Sequence, residues 1–316
     1  MSSNFEIRRF FRPYQPSFSR NTMNAAYREI YPDEKLHDQI YCYWELSSLK
    51  SVETEFVYRV VADGCNDIFF QLDDPNESFV AGFYNRYTEF SIGKKFRYIG
   101  IRFMPGMFAP LFSVDAKYLI NKTEKLEDVT KTVSLYIRDS FSSRNTFPEI
   151  TTKLDSFFIR LFSKNSVILD SRFDYAFRRI IAHSGNLRIE KDLQNSLSSR
   201  QLRRYFELYI GDTGKTFSKV IRFQQLLNAG LSKQNIGTLF HDFGYYDQAH
   251  FIRDFTRMYG VTPGKAFDQV NNILSIKSEQ YHLIYYRHKQ CRIKFHEASQ
   301  CPIFTIPIYI LRLYFD

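Results

Sequence analysis

The chain has 316 residues, room enough for two domains with real cores. Hydrophobic residues make up 44% and charged residues 24%, the balance of an ordinary water-soluble protein. No stretch supplies the roughly 20 apolar residues a membrane helix needs. The opening MSSNFEIRRFF has no apolar run behind its charges, so no secretory signal is expected. Cys42, Cys65, Cys291 and Cys301 lie too far apart to suggest a disulfide framework. A cytoplasmic protein with reduced thiols is the expectation. The net charge of +9 is uneven. Residues 1–170 hold 22 Lys/Arg and 22 Asp/Glu, residues 171–267 hold 15 against 8, and residues 268–316 hold 6 against 4. A basic segment beside a neutral one implies that the basic one meets a polyanion. The alternative is a merely solvated basic surface.

In chain order, residues 1–35 alternate polar and aromatic residues around Pro13, Pro16 and Pro32, and read as loop and short strand. Residues 36–103 read as β-rich. The strands expected are Ile40–Leu46, Phe56–Val61, Asp67–Leu72, Ser78–Phe83, Tyr87–Ile92 and Arg97–Phe103, separated by turn clusters such as Asp73-Asp74-Pro75-Asn76. Short strands at this spacing suggest a sandwich or small barrel. Helical periodicity follows: Val133, Tyr136, Ile137 and Phe141 form one stripe, and Leu154, Phe157, Phe158, Leu161 and Phe162 a stronger one. Such stripes pack on a core or serve a dimer contact. Lys164–Arg172 reads as a linker.

Residues 173–270 read as all-helical. Helices are expected over Phe173–His183, Asn186–Asn195, Ser199–Ile210 (with Ser198 as N-cap and Gly211 as stop) and Thr216–Ala229. In Asn235–Pro263, Ile236, Leu239 and Phe240 form an apolar stripe. Gly244 breaks it, Phe251, Phe255 and Met258 resume it, and Gly260 and Pro263 end it. Helix, glycine turn and helix are the plan of a helix-turn-helix.

The series Gly244, Asp247, Gln248, Phe251, Arg253, Phe255, Gly260 and Pro263, within GYYDQAHFIRDF and YGVTPGKAF, resembles the C-terminal signature of AraC/XylS transcription regulators. SSRQLRRYFELYIG at 198–211 resembles the first helix-turn-helix of the same family. Phe240 stands where the family usually has a small residue, and Tyr246 where it often has a serine cap. VADGCNDIFF and GIRFMPGMFAPLF resemble, less specifically, the N-terminal domain of one branch of these regulators. The resemblance implies an α+β chain. Residues 1–165 would be a β-rich sensory or dimerisation domain, sandwich- or barrel-like, with helices near its end. Residues 171–270 would be an all-α DNA-binding domain with two helix-turn-helix units. The tail 271–316 has no counterpart.

An α-helix fits the major groove, where arginine forks match guanine and glutamine can pair with adenine. DNA-binding roles are therefore expected for Arg200, Gln201, Arg203 and Arg204 in the first unit, and for Gln248, His250 and Arg253 in the second. For any one of them, a phosphate contact or a solvated charge is the plainer role. Asp247 suits a helix cap better than base reading. The expected partners are promoter duplex DNA, a small-molecule effector, RNA polymerase and a second copy of the chain. The chain would act as activator or repressor. No cofactor is expected. His288, Cys291, His296 and Cys301 are zinc-type residues whose spacing matches no compact finger. A zinc-held alkyltransferase cysteine would need four N-terminal cysteines, and only Cys42 and Cys65 are there. Asp63, Asp67, Asp73 and Asp74 flank turns, where aspartate has local uses. The competing classes are an enzyme whose N-terminal domain acts on a small molecule or on DNA while the C-terminal part only docks, and a family member that has lost DNA binding. No constellation of acid, base, nucleophile or metal ligands assembles in residues 36–123, so a non-enzyme is expected.

Overall fold

Alternation of side chains along the strands sets the architecture. In β7 (Arg97–Phe103), Ile99, Ile101 and Phe103 are buried on one face, and Tyr98, Gly100 and Arg102 lie on the other. β4 (Asp67–Gln71) repeats this with Ile68 and Phe70 against Asp67 and Phe69, and β5 (Asp74–Ala81) with Val80 against Phe79 and Ala81. The structure is a computed structural model that describes residues 4–15, 25–49, 55–163, 167, 169–193, 198–230, 241, 243–245 and 247–268.

β1 (Ala25–Ile30), β2 (Ile40–Ser48) and β8 (Thr123–Lys125) complete a six-stranded antiparallel sheet in the order β1-β2-β7-β4-β5-β8. β3 (Val57–Val60) and β6 (Thr88–Ser91) form a separate antiparallel pair. One face of the large sheet is covered by α4 (Lys131–Ser140) and α5 (Phe147–Ser163), with Val133, Ile137, Leu154 and Phe158 fully buried against Ile68, Ile99 and Ile101. Tyr136 stacks on Phe157 with centroids 3.8 Å apart, so the two predicted stripes meet within the chain. The small sheet faces the other side of the large one. The expected sandwich or barrel-like β-rich region with accessory helices is what forms.

That opposite face depends on one glycine. An alanine Cβ at position 100 would lie 1.9 Å from the Trp44 ring. Gly100→Ala is expected to cost about 1–3 kcal/mol through forced displacement of the indole. It should also shift the emission of Trp44, the chain's single tryptophan. Urea denaturation and fluorescence check both; an unchanged midpoint and spectrum would contradict the close approach.

Three sequence expectations in the first 172 residues need correction. Residues 1–35 contain a helix, α1 (Asn4–Phe10), and the six-residue β1. The helix is held by tertiary contacts: Ile7 and Phe11 are buried, and Arg8 donates to the carbonyls of His37 and Tyr41 at 3.1 and 3.0 Å. β5 begins at Asp74 rather than Ser78, because the turn is made by Leu72 and Asp73 alone. The register jumps from Gln71↔Asp74 to Phe70↔Ser78, a bulge that takes up Pro75, which cannot donate to a ladder. The expected linker Lys164–Arg172 ends sooner, since α6 (Ser171–Ala182) starts behind an Asp170 cap.

The remaining helices are α2 (Phe108–Phe112), α3 (Leu126–Val129), α7 (Ile189–Asp192), α8 (Ser199–Tyr209), α9 (Gly214–Gly230) and α10 (Gln248–Tyr259). The expected helix Asn186–Asn195 shrinks to α7 among the described residues. Phe173, Phe177, Phe206, Phe217 and Phe255 of the helical segment share one continuous core with Trp44, Phe56, Phe83 and Cys65 of the β region. Residues 1–267 accordingly form one compact unit. No helix among the described residues is long and apolar enough to cross a membrane.

Candidate nucleic-acid interface and adjoining cavity

The first helix expected to read DNA, α8, is set by its cap. Ser198 accepts from the Gln201 backbone N–H at 3.3 Å, and Gln201 Oε1 accepts from the Ser198 N–H at 3.1 Å, a reciprocal capping box. Leu202 and Phe206 turn inward. Arg200, Gln201, Arg203 and Arg204 are all exposed. Arg203 pairs with Glu207 one turn on at 2.7 Å, and the Arg204 guanidinium lies 5.5 Å from the Tyr205 ring centre. Tyr205 ties α8 to α6 by donating to Asp170 at 2.7 Å. Hydrogen bonds from Arg172 and Tyr205 hold the Asp170 carboxyl well below the usual carboxylate range.

The second helix expected to read DNA, α10, starts as its sequence suggests. Asp247 caps it by accepting from the His250 N–H at 2.6 Å, and Gly260 ends it at φ 98°. Phe251, Phe255 and Met258 face inward; Gln248 and Arg253 are exposed. His250 is half-buried, its ring edge-on to Tyr245 and its Nε2 3.3 Å from Asp254. Arg257 is exposed as well, and its guanidinium donates to Asn85 of the β region at 3.4 Å. Ile236, Leu239, Phe240 and Tyr246 lie outside the described residues, as does the tail 271–316 with His288, Cys291, His296 and Cys301.

α9 is the brace behind both helices. Its 17 residues span about 25 Å at the α-helical rise. Phe217 meets Phe206 of α8 with centroids 5.9 Å apart, and Phe223 meets Phe255 of α10 at 5.4 Å. Lys219 pairs with the buried Asp254 of α10 at 3.0 Å. This pair was missed in the sequence, where Asp254 is simply one more polar residue between Arg253 and Phe255.

Beside the helices, between the large and small sheets, lies a cavity of about 250 Å³. Its walls are mainly aromatic and aliphatic, and Arg102, Asp63 and Asp67 are its charged members. The register that puts Asp67 opposite Arg102 on adjacent strands creates the charged cluster. Arg102 is 3% exposed and donates to Asp67 through Nε at 3.2 Å and Nη2 at 3.0 Å. Asp63 and Glu29 are 3.6 and 3.7 Å from the same guanidinium. Burial pushes the Asp67 carboxyl up to about 6, with Arg102 pulling the other way. Trp44 Nε1 adds a third hydrogen bond to Asp67 at 2.8 Å. Asp63 does keep the local role expected of a turn aspartate, accepting from the Cys65 N–H at 2.9 Å. No single residue announced the cluster in the sequence: β7 carries Arg97 as well as Arg102, and the strand register supplies the pairing with Asp67. No group of metal-ligating side chains occurs among the described residues.

The loop that carries Asp63 and Cys65 into the cavity touches the helices through its neighbouring residues. Ala62, next to Asp63, accepts from Gln224 of α9 at 2.6 Å and donates to the Met258 carbonyl of α10 at 3.2 Å. Gly64 sits against Phe217 and Ile221. Gln15 clamps Asp63 at 2.7 Å and the Val61 carbonyl at 2.9 Å.

Two exposed, capped basic helices braced by a third, beside a β-rich unit with its own cavity, make the arrangement of a DNA-binding regulator of the helix-turn-helix class. The comparisons agree for the C-terminal part. Residues 194–269 match the helix-turn-helix domain family, so this segment is an AraC-type helix-turn-helix domain. Residues 28–125 match a domain family of unknown function, DUF6597. No curated protein matches the chain. Among solved structures, the chain is similar to ToxT from Vibrio cholerae O395, at 14% identity and a TM-score of 0.38, over 69% of this chain and 94% of that one. It is also similar to ToxT bound to (E)-4-(8-methylnaphthalen-1-yl)but-3-enoic acid, at 12% identity and a TM-score of 0.39, over 78% and 99%. A third similar structure is unsaturated fatty acid-bound ToxT from strain SCE256, at 12% identity and a TM-score of 0.37, over 79% and 97%. At these values the likeness sets no residue correspondence and carries no functional argument.

Proposed function

We propose that the chain regulates transcription by binding a promoter through residues 171–270, in response to a small molecule taken up by residues 1–165. The observation that carries this reading is the pair of exposed basic helix faces, Arg200–Arg204 and Gln248–Arg253, on one brace in the strongly basic segment. The mechanism is binding without chemistry on a substrate. Lysines and arginines displace counterions from phosphates, and side chains of α8 and α10 read base edges. Gln201, whose amide oxygen serves the cap, and His250, which faces Asp254 and Tyr245, are less well placed to read bases than Arg204 and Arg253. A second copy of the chain and RNA polymerase are the protein partners in this reading.

The effector would act by population shift. A molecule in the cavity that moves Asp63 also moves Ala62, which is hydrogen-bonded to both α9 and α10. Cavity occupancy and the setting of the second recognition helix then share one equilibrium.

Arg204→Ala and Arg253→Ala are each expected to weaken affinity for the selected duplex by about 10-fold, within the 1–3 kcal/mol of a base or strong phosphate contact. Both side chains are exposed, so circular dichroism should show folded proteins. Fluorescence anisotropy with a labelled duplex and the full chain gives the affinities. Unchanged binding in both variants would reject these residues as DNA contacts.

A further inference from the structure

We infer that the cavity between the sheets takes a small aromatic amine, with its ring among the aromatic walls and its ammonium beside Asp63 and Asp67. The inference rests on the reading of this cavity as the effector site. Size sets the first limit. Apolar cavities of about 150 Å³ accept benzene, so about 250 Å³ holds one ring with a short chain, roughly ten heavy atoms. The walls set the second. Trp44, Tyr58, Phe69, Tyr84, Phe90 and Tyr98 offer ring faces and edges. Such surfaces stack a flat apolar body, and their negative faces attract a cation.

Charge decides the class. Among the described residues lining the cavity, Arg102 is the only cation. It is bidentate to Asp67 and has Asp63 and Glu29 within 3.7 Å. Three carboxylates therefore surround one guanidinium, and the site carries surplus negative charge. A carboxylate ligand drawn to Arg102 would bring a fourth negative charge into a pocket walled mainly by apolar side chains, where like charges repel more strongly than in water. It could engage Nη1, which makes no hydrogen bond among the described residues, but that nitrogen is the one facing Glu29. A neutral ligand would leave the surplus uncompensated. An ammonium compensates it and gains the aromatic faces as well.

The single tryptophan lines the cavity and reports its occupancy. The full chain would be titrated at neutral pH with three matched probes of about ten heavy atoms, 3-phenylpropylamine, 3-phenylpropan-1-ol and 3-phenylpropanoate, while Trp44 emission is followed. The amine should perturb the emission saturably at a concentration at least about 10-fold lower than the alcohol, with the carboxylate weakest. Asp63→Asn should erase the preference for the amine while leaving alcohol binding in place; if that variant does not fold, the ranking of the three probes on the unaltered chain decides alone. Alcohol or carboxylate binding as tight as the amine would overturn the amine assignment and leave the cavity as effector site. Absence of any saturable change with all three would overturn both.

Discussion

Arg102→Met is expected to lower the stability of the folded chain by about 3–5 kcal/mol at neutral pH. For a domain of this size that is a fall of about 6–20 °C in melting temperature. The side chain is nearly fully buried and its charge is matched by Asp67, Asp63 and Glu29. Removing it leaves those carboxylates in low dielectric without their partner, which costs more than the pair gained. The loss must depend on pH. Burial already raises the Asp67 carboxyl from 3.8 to about 6, so the folded state keeps this proton longer than the unfolded state does. A raised carboxyl makes stability fall as pH rises across that window. Without Arg102 the carboxyl rises further, so the gap between variant and parent widens from about pH 5 to about pH 7.5. Urea titrations at the two pH values measure it. A loss of the same size at both would mean that Arg102 acts through packing alone.

Phe217→Ala should cost a similar amount, about 3–5 kcal/mol, for a different reason. Phe217 is fully buried where the β region, α6, α8 and α9 meet. Its ring packs on Phe177 at 5.5 Å, Phe206 at 5.9 Å and Phe83 at 6.4 Å, and lies 3.6 Å from the space beside Gly64. An alanine there leaves a cavity that four elements would have to close. Because the ring belongs to one continuous core, the Trp44 signal of the β region and the helical signal at 222 nm should fall together. A variant that melts in two steps, helices first, would show that the β region and the helical segment are separate cooperative units.

Local chemistry was the legible part of this chain. The β7 bounds, Arg97–Phe103, follow from alternation, and Ser198, Asp247 and Gly260 announce helix ends that the structure places within a residue. The inward residues of α8 and α10 follow from helical spacing. Where local signal is weak, tertiary contact wins: α1 is short and owes its place to Ile7, Phe11 and the reach of Arg8 to carbonyls of residues 37 and 41. The charged cluster was illegible for a related reason. Asp63, Asp67 and Arg102 each look ordinary in sequence, and only the strand register brings them together. The same holds for the union of the β region with the helices. Amphipathic stripes say which side of a helix is buried but not what it is buried against, so the shared core of Phe217, Phe83 and Cys65 could not be read in advance.

Selection of random duplex DNA by the full chain, at low and at near-physiological salt, tests the central claim most directly. The account predicts an enriched motif in two half-sites, about one helical turn or 10–10.5 base pairs apart, that persists at the higher salt. Salt-sensitive retention of DNA with no enriched sequence would contradict it and leave only a basic surface.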